Sequence, residues 1–300
     1  MSPAAGAAAR EHIWVPGAAA IAREAGARLR DFYAQGVKTE YKGDVDLVTV
    51  ADRAVVKLIR ARLAETFPDH GIYGEEGTRE RLEAEFRWYV DPLDGTTNFA
   101  HAFPHFSVSL GLEQRPAGIA PDADGTLVAG IIYDPMRDEL FTAERGCGAQ
   151  LNGRGVQVSR ARELGEALLA TGFPSRKRHA SPNIHFYQEF TLRSHGVRRA
   201  GSAALDLAYV ACGRLDAFWE FNLNPWDTAA GILLVEEAGG SVTDYAGNKY
   251  RLASDEILAS NGAIHRELTG FFTDMFAGRG LAPIPTPQEF AQRRAAKNRE

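Results

Sequence analysis

Between Trp88 and Thr142 the chain carries four short apolar runs, at residues 88–90, 106–112, 128–133 and 139–142. They are parted by Gly, Pro and Asp, with no helix-length segment among them. Strand segments that follow one another without crossover helices pair antiparallel, so this stretch predicts an antiparallel or mixed sheet. In the second run Phe106, Val108, Leu110 and Leu112 alternate with small or polar residues, the pattern of a half-buried strand.

Helical periodicity brackets the sheet. Ala18, Ile21, Ala25, Leu29 and Phe32 form an apolar stripe over about residues 16–33, opened by Pro16. Val55, Leu58, Ile59 and Leu63 form another over about 51–67, ending before Pro68. Further on, Ser202 is placed to cap a helix that runs to about Ala211, with Gly213 behind it. Residues 215–220 and 241–244 read as strands, and 226–238 and 263–276 as helices. Pro283, Pro285 and Pro287, followed by a basic end, read as a loosely held tail.

Composition removes several function classes. With 34 Lys and Arg against 39 Asp and Glu, the net charge of −5 offers no positive field, which makes nucleic acid an unlikely partner. The longest charge-free stretch, Gly95 to Leu112, contains Asn, Thr, His and Pro, so no membrane span is expected. Residues 1–10 have no apolar core of the signal-peptide kind. Two cysteines, Cys147 and Cys212, make neither a disulfide framework nor a metal motif, and a reducing cytoplasm is the expected setting.

The chemistry concentrates in Asp91-Pro92-Leu93-Asp94-Gly95-Thr96-Thr97-Asn98-Phe99, where two carboxylates emerge together as the strand at Trp88 to Val90 ends. No Lys or Arg lies between Trp88 and Glu113, so the pair repel unless a hard cation such as Mg²⁺ sits between them. Read alone, the segment is equally a turn of solvated aspartates. Glu75 and Glu76 occupy a glycine-bounded turn upstream, and Asp227 opens an apolar helix after Trp226. Asp227 and Asp52 each also read as first-turn acids on a helix dipole. Together the acids point to a multi-metal phosphate site, since paired ions neutralise a phosphate dianion and activate water.

These segments, with Asp46 to Asp52 and Trp226-Asp227 through Gly240, resemble the signatures of inositol monophosphatases, in the same order and over roughly residues 13–276. The resemblance implies an α+β fold, a layered αβαβα sandwich of the inositol monophosphatase and fructose bisphosphatase type. It further implies a Mg²⁺-dependent, lithium-sensitive phosphomonoesterase, usually a homodimer, with two to three ions. Glu75, Asp91 and the Leu93 carbonyl would hold the first ion, and Asp91, Asp94 and Asp227 the second. Glu75 would reach a third through water. Thr96 and Asp52 would orient and deprotonate the attacking water, and the Gly95 and Thr96 amides would take the phosphate. Gly201, Ser202, Ala203, Glu220 and Asp227 would meet a small phosphorylated polyol. On this basis residues 13–150 form the metal-site half and 151–276 the substrate-side half, flanked by tails at 1–12 and 283–300.

Some residues fit either a functional or an ordinary role. Lys42 is a phosphate or third-metal contact or a solvated lysine. His101 and His105 are expected to be structural, because oxygen-rich Mg²⁺ sites do not favour imidazole. Arg176-Lys177-Arg178 and Arg198-Arg199 are solvated loops or steer an anionic substrate. Rival activities are fructose-1,6-bisphosphatase, histidinol-phosphatase and 3′-nucleotide phosphatase. A non-catalytic regulatory module is the reading from another class, since some bacterial relatives contact transcription machinery.

Overall fold

The computed structural model describes residues 13–36, 39–41, 47–119, 123–173 and 181–280. Lys42, Asp46, the basic triplet at 176–178 and both tails lie outside the described residues. In chain order the elements are α1 (Val15–Gln35), β1 (Thr39–Tyr41), β2 (Leu47–Thr49), α2 (Val50–Thr66), β3 (Gly71–Gly74), β4 (Arg79–Glu80), β5 (Phe86–Asp94) and α3 (Thr96–Ala100). Then come β6 (Ser107–Gln114), β7 (Thr126–Asp134), β8 (Glu139–Glu144), β9 (Ala149–Leu151), β10 (Arg154–Val156), β11 (Leu168–Thr171) and α4 (Asn183–Arg193). The chain continues with β12 (Gly196–Arg198), α5 (Ala203–Ala211), β13 (Ala217–Phe221), α6 (Pro225–Glu237), β14 (Ser241–Thr243), β15 (Glu256–Ser260) and α7 (His265–Phe276).

An eight-stranded sheet has the order β10-β9-β8-β7-β6-β5-β3-β4 and is antiparallel except where β3 runs parallel to β5. A five-stranded sheet, β12-β11-β13-β15-β14, has β11 parallel to both of its neighbours. Three apolar layers bind the molecule. Leu29, Val55 and Ile59 of α1 and α2 pack with Trp88, Leu110 and Ile131 of the large sheet. Leu205 and Leu207 of α5 and Leu233 and Leu234 of α6 fill the middle, between Ile132 and Phe141 on one side and Phe218 and Ile257 on the other. Phe186 and Phe190 of α4 and Phe272 of α7 cover Leu169, Trp219 and Leu258. This is the expected αβαβα sandwich. No helix of the described residues is long and apolar enough to cross a membrane.

Two local expectations change. Strand β6 is buried on both faces rather than one, and its small residues are what permit that. A Cβ at Gly111 would stand 2.6 Å from the Ala229 Cβ and 2.8 Å from the Ala230 nitrogen, so α6 lies directly on this strand. Ser109 adds a hydroxyl bond to the Trp226 carbonyl at 3.4 Å. The aspartates, in turn, do not follow a finished strand, because β5 continues through both of them to Asp94.

Candidate active site

Asp91 pairs with Ser109 and Asp94 with Ser107, so three steps along β5 oppose two along β6. In a regular strand residues three apart point to opposite faces. The extra residue returns both carboxylates to one face. Pro92, which has no N–H to give a ladder, sits inside this bulge. Asp91 Oδ1 accepts a bond from the Leu93 amide at 2.9 Å and closes a local turn.

Beyond the bulge Gly95 takes φ of +93°, a left-handed conformation that favours glycine. It also packs closely: a Cβ there would come within 3.0 Å of the His105 carbonyl and 3.3 Å of the Gly201 carbonyl. Asn98 Nδ2 donates to the carbonyls of His105 (2.7 Å), Ala200 (2.9 Å) and Gly201 (3.3 Å), tying this turn to the segment at 200–203. Thr96 Oγ1 donates to the Leu93 carbonyl at 3.0 Å and to Asp52 Oδ1 at 3.4 Å. Asp52 is buried in the first turn of α2.

Asp94 Oδ2 accepts from the Ser202 hydroxyl, from the Ala204 amide at 2.9 Å and from the Ser107 hydroxyl at 3.4 Å. The same Ser202 hydroxyl caps α5 by accepting the Leu205 amide at 3.3 Å, so Gly201, Ser202 and Ala203 are fastened to the aspartate turn. Asp227 occupies the third position of α6 and closes a capping box, its Oδ2 accepting the Asn224 amide at 2.7 Å. Glu75 follows β3, its amide bonded to the Val90 carbonyl at 3.1 Å, which places it beside the end of β5. Glu220 lies buried on β13.

The electrostatics join these acids. Burial, then the charges of Glu75, Asp94 and Asp227, hold the Asp91 carboxyl well above the usual carboxylate range. Burial also raises Asp94, against the bonds from Ser202 and Ala204 that favour its charged form. Asp227 is pushed up to about 7, by burial first and then by Asp94. Glu220 is pushed up to about 8 by burial, opposed by Arg199 and reinforced by Asp227 and Asp94. Among the described residues no three acid, histidine or cysteine side chains converge on one point as a closed ion cage. The acids instead ring the end of β5 at distances where their charges still act on one another, as repelling carboxylates do. An oxygen-only set fits Mg²⁺, which keeps several waters and asks for few protein ligands.

His105 serves the turn through its carbonyl, and burial disfavours charge on its imidazole. Burial raises the Cys212 thiol, which makes it a weak nucleophile. Asn98 and Ser107 bind the site together, and sequence reasoning gave neither a role. Their one available signal was membership of the segments around Asp91 and Phe106.

The sequence profile of the inositol monophosphatase family matches residues 13–274. A Pseudomonas aeruginosa protein named Nus factor SuhB is 45% identical over 231 residues, which cover 75% of this chain and 82% of that one. An inositol-1-monophosphatase from Synechocystis is 42% identical over 289 residues, covering 95% of this chain and 93% of its own. The crystal structure of the extragenic suppressor protein suhB from Bartonella henselae superposes with a TM-score of 0.79 at 42% identity, covering 86% of this chain and 97% of that one.

Proposed function

This chain belongs to the inositol monophosphatase family, and we propose that it is a Mg²⁺-dependent phosphomonoesterase acting on a small phosphorylated polyol, myo-inositol monophosphate first among them. The observation that carries this reading is the set of mutually repelling acids at the end of β5, centred on the buried Asp91. Glu75, Asp91 and the Leu93 carbonyl would hold one Mg²⁺, and Asp91, Asp94 and Asp227 a second, with Glu75 reaching a third through water. Bound there, Mg²⁺ offsets the charge of the phosphate dianion and lowers the pKa of water.

The chain's own residues do the rest. Asp52 accepts the Thr96 hydroxyl proton while Thr96 Oγ1 takes one from the attacking water, so the 3.4 Å pair orients and deprotonates the nucleophile. The Gly95 and Thr96 amides take phosphate oxygens. The 201–203 segment and Glu220 meet the polyol, with Asp227 touching one hydroxyl. The metal-site half is then about residues 13–150, and the substrate side about 151–276. The reading includes a homodimer in the cytoplasm.

The test is a panel of phosphomonoesters assayed after chelation and again with Mg²⁺ returned. Inositol monophosphates should show the highest kcat/KM. A higher value for fructose 1,6-bisphosphate, histidinol phosphate or a 3′-nucleotide would reassign the substrate, and no hydrolysis of any ester would overturn the phosphatase reading. The name of the P. aeruginosa relative favours a second reading, in which the fold also serves a transcription complex. A hydrolysis-dead variant that still supports transcription in a host lacking this chain would separate that role from catalysis.

A further inference from the structure

Glu220 has one flank without a side chain. On β15 its register neighbour is Ile257, buried and apolar. On the other side β11 runs parallel to β13 and ends with Thr171 beside Trp219, so the residue abreast of Glu220 is Gly172. Side chains alternate along a strand, and residues abreast on paired strands share a face. Trp219 packs into the outer layer with α4 and α7, whereas Phe218 and Ile257 pack with α5 and α6. Glu220 therefore faces inward with Phe218, toward the helices whose starts carry Ser202 and Asp227.

The carboxyl group fills the space that the glycine leaves. A Cβ at Gly172 would overlap Cδ, Oε1 and Oε2 of Glu220 together, so the whole carboxyl lies over Gly172. Asn183, at the start of α4, pins the glycine from behind. Its Nδ2 donates to the Gly172 carbonyl at 2.6 Å and to Thr171 Oγ1 at 3.0 Å, and its Oδ1 accepts from Trp219 Nε1 at 2.6 Å. Thr171 Oγ1 in turn donates to the Trp219 carbonyl at 2.7 Å. Asn183, Thr171 and Trp219 are fully buried. An indole N–H only donates, which fixes the amide's orientation. One buried side chain thus locks Gly172 to the residue that precedes Glu220.

We propose that Gly172 is a specificity-determining residue for the polyol: its missing side chain is the seat that holds the Glu220 carboxyl where the polyol hydroxyls meet it. Asn183 is the positioning residue that keeps the seat in register with β13. Both act through Glu220, and neither touches a reacting atom. A glutamate side chain has several rotatable bonds, and ordering it only on binding lowers affinity. Seated in advance, the carboxyl presents its oxygens at a fixed place. The proposal rests on the assignment of Glu220 to the substrate side given above.

The test is Gly172→Ala in two backgrounds, with Mg²⁺ present. The backbone at Gly172 is not left-handed, and the atoms the methyl would meet are the far end of a side chain, so the change displaces Glu220 rather than the fold. The ratio of kcat/KM for inositol monophosphate to that for 4-nitrophenyl phosphate should fall at least about tenfold, through KM rather than kcat. In a Glu220→Ala background no carboxyl lies over the glycine, and adding Gly172→Ala should move the ratio by less than about twofold. Equal loss on both esters, an unchanged ratio, or the same fall in both backgrounds would overturn the proposal. Should Gly172→Ala fail to fold, Glu220→Asp still decides. It keeps the carboxyl but ends one methylene short of the seat, so its ratio should also fall at least about tenfold, and a wild-type ratio would overturn the proposal. A wild-type chain that hydrolyses neither ester would overturn the phosphatase reading and this inference with it, whereas an active chain with an unmoved ratio overturns this inference alone.

Discussion

The Ser202 hydroxyl donates to the Asp94 carboxylate across 108 residues of sequence and at the same time caps α5. One side chain therefore joins the aspartate turn to the substrate-side helix. Ser202→Ala removes a hydrogen bond to a buried carboxyl together with a helix cap, and should cost about 1–3 kcal/mol in urea unfolding. Mg²⁺ affinity should fall with it. Ser202→Thr keeps the hydroxyl and should preserve both.

Asp91 separates stability from activity. Its charge is opposed by burial and by Glu75, Asp94 and Asp227. Asp91→Asn relieves that opposition, so the chelated variant should melt above the chelated wild type. The same change removes a ligand shared by two proposed ions, and kcat/KM should drop at least about 10³-fold. A variant that melts lower and retains full turnover would contradict both halves of the argument.

The raised acids set a pH dependence with a definite sign. Glu220 stands at about 8 against an ordinary 4.5, and Asp227 at about 7 against 3.8. In each case the folded chain holds a proton that the unfolded chain has released. The stability this contributes is complete below about pH 4 and is lost as pH rises through 7 to 8. Chelated protein should therefore show a falling urea midpoint from pH 5 to 8. Adding Mg²⁺ should flatten the curve and release protons measurable by calorimetry in buffers of different ionisation enthalpy.

Chemistry that is local in sequence was legible, and chemistry that depends on a distant partner was not. Asp91 to Phe99 announces itself through charge and turn residues, and the acids at Glu75 and Asp227 through their flanking glycines and helix start. The bulge between Asp91 and Asp94 depends on register against Ser109 and Ser107, which no window of β5 contains. Ser109 and Gly111 read as the wet face of a strand, yet their smallness is what seats α6. Helix α4 went unread because Ile184 and Leu192 point to solvent while Phe186 and Phe190 are buried, which blurs its stripe. Strands β11 and β15, of four and five residues, are too short for periodicity to separate strand from helix.

Thr96 tests the chemical step. Its hydroxyl spans the Leu93 carbonyl and Asp52, and its proposed work falls in the transition state. Thr96→Ala should lower kcat and kcat/KM together on every ester, on the order of 10²-fold, whereas Thr96→Ser should keep most of the rate. A change confined to KM would assign Thr96 to binding instead.

Gly111 tests how the fold holds the site. Helix α6 carries Asp227 at its start and rests on β6 where that strand has no side chain. The atoms that a Cβ would meet include the Ala230 nitrogen, which is backbone and cannot swing aside. Gly111→Ala must push α6 outward, an overpacking that costs about 1–3 kcal/mol. Because Asp227 moves with the helix, Mg²⁺ affinity should weaken as well, although the substitution adds only a methyl group and touches no acid. Gly118→Ala supplies the contrast, since that glycine has open space around it and lies in a loop away from the acids. Its φ of +77° should still cost about 1 kcal/mol of stability, but metal affinity should stay at the wild-type value. Equal weakening of Mg²⁺ binding in both variants would show that it follows from general destabilisation and not from the seating of α6.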